Sequence, residues 1–244
     1  VYMNREALLY YSVSHQGDWT KIATCIKEQR KYEKIEIESH YVTIFDEHYP
    51  SCFRKLRYPP WVLYYYGDLD YLKNHPIGLI GARNCSKNAI DNTHYIVDQL
   101  KKRHTIVSGL AKGVDAHSHL AALNAKTVAF LGCGIDRIYP KENQALFKEI
   151  KKNHCLISEY PNSTAPYRHH FPWRNRLIAA SSELVIVVEA KYKSGTMRTV
   201  DACNELSVPV YCVPSSFLEP SFKGCNYLIS CGAQILLESD LERI

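Results

Sequence analysis

No run of apolar residues in this 244-residue sequence comes near the roughly 20 residues that a membrane-spanning helix needs. Stretches such as Leu184–Val188 stop after a few positions. Only Arg5 precedes a brief apolar run from Ala7 to Tyr11, and no small-residue cleavage site follows, so no secretory signal is expected. Cysteine is plentiful, but C-x-x-C spacing is absent: the nine thiols stand at 25, 52, 85, 133, 155, 203, 212, 225 and 231, mostly inside apolar runs. An odd, unclustered set predicts reduced, packed thiols in a cytoplasmic protein rather than a disulfide framework or a zinc site. His117 and His119 have no Cys or acidic companions at metal-ligand spacing, so no metal is expected, and no cofactor of any other kind.

Several motifs are also missing. The segment IGLIGARNCSKNA (77–89) lacks G-x-G-x-x-G spacing, and the second apolar run ends in Ser108-Gly109 instead of the acid that would hold a ribose diol. That argues against a nicotinamide enzyme. No P-loop and no G-x-S-x-G elbow occurs, and no Ser or Cys stands with an evident base.

What is present reads as one large domain with a small appendage. The net charge of +5 is modest, but its distribution is uneven. Lys141 to Arg176 holds seven Lys/Arg against three acids, and Lys191 to Arg198 holds three cations and no acid. Tyrosine outnumbers phenylalanine 18 to 7, which suits either a base-stacking surface or a tyrosine-rich core and dimer seam.

From about Ile77 the chain alternates short apolar runs (77–81, 105–110, 127–132, 155–159, 184–190, 209–214 and 233–237) with stretches of helical spacing. Continuous apolar strands separated by helices predict a doubly wound, mostly parallel α/β sheet of Rossmann-like type with both faces covered. Residues 1–45 are expected to be a helical appendage, 46–244 the Rossmann-like domain, and 46–76 an extended lead-in packed on the sheet.

In such a sheet ligands bind at the carboxyl ends of the strands. Four runs there end in glycine turns: Gly81-Ala82-Arg83, Ser108 to Gly113, Gly132-Cys133-Gly134 and Ser194-Gly195-Thr196. Glycine lets backbone amides approach an oxyanion, and helix N-termini favour negative charge. Arg83, Lys112, Lys141, Arg174 and Arg176 add cations, so the rim is suited to gripping phosphate. Asp115 and His119 are assigned a structural role on one helix face. Glu189 is expected to pair with Arg174 or Arg176.

The strings SGLAKGVDAHSHLAAL (108–123), GCGIDRIYPKENQAL (132–146), SEYP (158–161), FPWRNRLIAASS (171–182), VVEAKYKSGTMRTV (187–200) and KGCNYLISCGA (223–233) resemble the DprA/Smf family. So do YP at 49–50 and PPWVLYYYGDL at 59–69, and the likeness runs from about 46 to 237. The resemblance implies a dimeric, non-enzymatic protein that binds single-stranded DNA and helps load the RecA recombinase on it during natural transformation. It implies that Arg83 and the neighbouring cations hold phosphates, and that Ser108, Gly109, Gly132, Gly134, Phe171, Arg174, Asn175, Arg176, Ser194 and Gly195 line the groove. Phe171, Trp173 and Tyr139 are the candidate stacking platforms. Three positions depart from the family pattern: Asn88, Arg198 and Ser215. No winged-helix tail is expected after the Rossmann domain. A LOG-type phosphoribohydrolase is the alternative from another class, but it needs a glutamate two residues past a Gly-Thr pair. Here Gly195-Thr196 is followed by Met197, Arg198 and Thr199.

Overall fold

The computed structural model describes residues 4–216 and 218–244. Its strands are β1 (His40–Thr43), β2 (Val62–Tyr66), β3 (Ile77–Ile80), β4 (Ile106–Ser108), β5 (Thr127–Leu131), β6 (Cys155–Ser158), β7 (Leu184–Val187), β8 (Val210–Cys212) and β9 (Gln234–Ile235). They form one sheet in the order β1-β2-β6-β5-β4-β3-β7-β8-β9. Every pairing from β6 through β9 is parallel, whereas β1 and β2 are added antiparallel at one edge. All seven apolar runs of the sequence thus become parallel strands, and the architecture is Rossmann-like. β3, β5 and β6 are buried along their whole length because helices cover both faces.

The helices are α1 (Arg5–Ser14), α2 (Trp19–Lys27), α3 (Lys87–Leu100), α4 (Val114–Ala121), α5 (Gln144–Asn153), α6 (His170–Ser181), α7 (Gly195–Glu205), α8 (Lys223–Ser230) and α9 (Asp240–Arg243). α3 shows how the sequence sets one. Ser86 caps it by accepting from the Ala89 amide at 3.1 Å, and Ala89, Thr93, Ile96, Val97 and Leu100 fall on one buried stripe.

The two sheet faces carry separate cores. Val128 and Phe130 of β5 face a layer that includes Leu177 and Ile178 of α6. Ala129 and Leu131, alternating with them, face a layer built with α1, α2 and α5. The N-terminal helices therefore complete one covering layer: Tyr64 of β2 is fully buried, and its hydroxyl donates to Ser12 Oγ of α1 at 2.9 Å. The stretch 46–76, read as a lead-in, supplies strand β2, and β1 falls within the segment read as helical. Both are short and lack clean alternation, since β2 is buried at three successive positions and is flanked by Pro59 and Pro60.

Candidate functional site

The strand order reverses direction between β3 and β7, the neighbours that flank the centre of the parallel sheet. At their carboxyl ends opens a crevice of about 690 Å³. This is the switch point at which doubly wound sheets bind ligands. The turn after β3 supplies Gly81 to Asn84, and the loop after β7 supplies Lys191 and the start of α7. Across them lies the first half of α6, with Phe171, Arg174, Asn175 and Ile178 at helical spacing.

The lining is cationic. Arg83, Arg168, Arg174, Lys191 and Arg198 border the crevice, and among the described residues its one carboxylate is Asp115. Asp115 is 7% exposed, and burial raises its pKa while Arg174 nearby draws it back down. It therefore does little to cancel the field at the mouth. Ser194 stands at the N-cap of α7 without making a capping bond, and its Oγ has no hydrogen-bond partner among the described residues. A helix N-terminus with an uncommitted hydroxyl, beside Lys191 and Arg198, favours an anion.

Beneath the cations the crevice floor is fixed by close approaches. Arg174 is 3% exposed and donates through Nη1 to the carbonyls of Gly109 at 2.6 Å and Phe130 at 2.5 Å. A Cβ on Gly132 would lie 2.7 Å from Cδ1 of Phe171, so only glycine lets that ring settle over the β5 turn. Phe171 in turn carries Arg83 over its face, 5.7 Å from the centroid, and packs against Tyr139 at 5.2 Å. Arg83 and Tyr139 are both exposed.

The residues expected from sequence are brought together only in part. Arg83, Tyr139, Phe171, Arg174, Asn175, Ser194 and Gly195 all border the crevice. Gly109, Gly132 and Lys112 border a small adjoining recess with Arg83 and Phe171. Lys112 is bonded to the Glu142 carboxylate. Ser108 lies in the sheet interior, its hydroxyl donating to the Leu79 carbonyl at 2.6 Å. Gly134 is bonded to Thr164 away from the crevice, and Lys141 lies outside its lining. Arg176 is on another side of α6, where its Nη2 meets Glu159 Oε1 at 2.6 Å and its guanidinium covers Trp173 at 4.3 Å.

One expected pairing is corrected. Glu189 bonds neither Arg174 nor Arg176; its carboxylate accepts from the Ser86 amide and hydroxyl, tying β7 to the start of α3. His119, read as structural, is indeed a packing residue, though in the interior rather than on the helix surface. It is fully buried, its Nδ1 lies 2.7 Å from Thr127 Oγ1, and burial pushes its pKa down to about 3. Arg168, Lys191 and Arg198 were not singled out as site residues; the cation runs of the sequence were their signal. Among the described residues no cluster of His, Cys, Asp and Glu could hold a metal, and no helix is long and apolar enough to cross a membrane.

Comparison with known proteins places these features in context. The model of a family described as DNA recombination-mediator protein A matches residues 40–242. Over 196 residues the sequence is 39% identical to DNA processing protein DprA of Streptococcus pneumoniae, covering 80% of this chain and 70% of that protein. It is 37% identical over 203 residues to DprA of Bacillus subtilis, covering 82% and 68%. Protein Smf of Synechocystis is 39% identical over 207 residues, of which this chain spans only 52% of the length. The X-ray structure of the S. pneumoniae protein superposes with a TM-score of 0.83 at 30% identity, covering 96% of this chain and 94% of that one. DprA from Helicobacter pylori, whose structure is described as showing its single-stranded DNA binding mode, gives a TM-score of 0.78 at 31% identity, covering 84% and 96%.

Proposed function

The chain belongs to the DNA recombination-mediator protein A family, the DprA/Smf family, and on that premise we propose that its crevice holds the backbone of single-stranded DNA for delivery to the RecA recombinase during natural transformation. One observation carries the reading: five cations border a crevice whose one described carboxylate is buried beneath them. Phosphate is the ligand that such a lining selects. The aromatic rings of Phe171 and Tyr139 beside those cations favour a single strand, because unpaired bases have free faces to stack whereas duplex bases do not.

We read the protein as a non-enzymatic mediator. Asp115, the one described carboxylate bordering the crevice, is buried in its floor, and Glu189 is bonded to Ser86, which supports binding without a general acid or base. The reading includes a homodimer, supported by the exposed apolar Ile235 and Leu237 at and beyond the β9 edge, and a cytoplasmic location, supported by nine unbonded cysteines.

The test is a fluorescence-anisotropy titration of a labelled, unstructured oligonucleotide, repeated at several salt concentrations beside a duplex of equal length. The single strand binds more tightly, and its log K falls with log salt by about 0.7 for each phosphate engaged. Equal affinity for blunt duplex overturns the proposal.

A further inference from the structure

A second cavity, of about 410 Å³, lies on the other side of the segment that walls the crevice. Along residues 166–173 the chain divides its side chains between the two. Pro166, Arg168, Phe171 and Pro172 border the crevice, whereas Tyr167, His169, His170 and Trp173 border the second cavity. Its opposite wall is the α1–α2 turn and the first turn of α2, including Trp19 and Lys21.

The chemistry of this cavity differs from that of the crevice. Lys21 and Asp18 lie 3.8 Å apart, so the wall they share carries little net charge, and burial holds the His170 imidazole at a pKa of about 4, uncharged at neutral pH. The rest is largely ring surface held in place from behind. Trp19 stacks on Trp61 at 5.1 Å, and its indole nitrogen donates to the Pro59 carbonyl at 2.8 Å. Trp173 lies under the Arg176 guanidinium, and Tyr160 stacks on His170 at 3.8 Å. Rigid rings without net charge suit a flat, neutral aromatic ligand.

From this we propose that the second cavity is a nucleobase subsite, taking an unpaired base of the same DNA strand whose phosphates occupy the crevice. The inference rests on the function proposed above and names what lies next along the strand. A strand leaving the crevice past Arg168 has only the width of one polypeptide segment to cross. Beyond it, the backbone meets a charge-balanced rim and a base meets Trp19, Tyr167 and Trp173.

The three tryptophans of the protein, Trp19, Trp61 and Trp173, all border this cavity or stack on a residue that does. Tryptophan emission therefore reports on it directly. The experiment titrates the intact protein with an oligothymidylate and with an abasic strand of the same length, following emission together with anisotropy of an end label. Bound oligothymidylate quenches the tryptophans, and bound abasic strand leaves them unchanged. Tyr167→Ala, a change at a half-exposed ring, lowers affinity for oligothymidylate about five- to tenfold and leaves the abasic strand's affinity as it was. Binding by anisotropy with no quench assigns the cavity to another occupant, such as an aromatic side chain of a protein partner, and overturns the subsite while the crevice reading stands. Equal quenching by both strands traces the signal to a general rearrangement and overturns it too. Absence of any binding overturns both readings.

Discussion

Gly109 and Arg174 occupy each other's space: a Cβ on Gly109 would sit 2.2 Å from Nη1 of Arg174, the nitrogen that donates to the Gly109 carbonyl at 2.6 Å. The buried guanidinium is therefore a strut between the turn after β4 and the end of strand β5 before it is anything else. Gly109→Ala expels it and leaves two carbonyls without their donor. Hydrogen bonds to a charged group are worth about 1.5–3 kcal/mol each, so both Gly109→Ala and Arg174→Leu lower stability by about 3 kcal/mol or more. Urea unfolding of the two variants measures this, and a midpoint equal to the wild type's contradicts the strut.

Arg83 and Arg198 present the opposite case, being exposed at the crevice mouth with no ion-pair partner among the described residues. Arg83→Ala and Arg198→Ala leave the unfolding midpoint within about 0.5 kcal/mol of wild type, as surface substitutions usually do. Each weakens single-strand binding for every sequence tested and reduces the salt slope by about 0.7. Unchanged affinity in a folded Arg83→Ala removes that residue from the site.

That contrast also marks how far the sequence could be read. The seven parallel strands were legible because strands buried on both faces are continuous apolar runs, and the glycine turns marked their carboxyl ends. The antiparallel pair was not, because β1 and β2 are short edge additions whose register depends on β6 and on the N-terminal helices. Within FPWRNR the arginines at 174 and 176 look equivalent as letters. On a helix they stand about 200° apart, so one enters the crevice floor and the other meets Glu159. Helical phase at α6 was available in the sequence; what Arg176 would meet on its far side was not, since Glu159 comes from the end of β6 through tertiary packing. Arg198 looked like a departure from the family and lies at the crevice.

The buried histidines give the protein a directional response to acid. In an unfolded chain the His119 imidazole takes up a proton as pH falls through about 6.5, but in the fold it does so only near 3. Between these values the unfolded state binds more protons, so the contribution is complete above about 6.5 and is lost as pH falls toward 3. His170, held at about 4, acts in the same direction. Asp115 and Glu159, raised by burial, act oppositely, since their burial costs least once they are protonated. Urea midpoints measured from pH 7 to 4.5 should fall less steeply for His119→Gln than for wild type. The variant is also less stable at pH 7, where the bond to Thr127 is lost. Parallel pH profiles sink the assignment.

The pair Glu159–Arg176 separates a structural arginine from a DNA-binding one. The two side chains are 5% and 12% exposed and meet at 2.6 Å, while Glu159 Oε2 has no other partner among the described residues. Arg176→Met strands that carboxylate in a buried site, and breaking a buried pair from one side costs about 3–5 kcal/mol. Glu159→Gln in the same background removes the stranded charge, so the double variant recovers much of the lost stability, and the cycle gives a large coupling energy. Affinity of the folded single variant for an abasic strand stays at the wild-type value, because this guanidinium is outside the crevice. A phosphate-binding Arg176 behaves otherwise. The single and double variants then lose affinity equally and shed the same increment of salt slope, whatever Glu159→Gln does for the melting temperature. Measuring unfolding and salt-dependent binding on the same four proteins decides between the two.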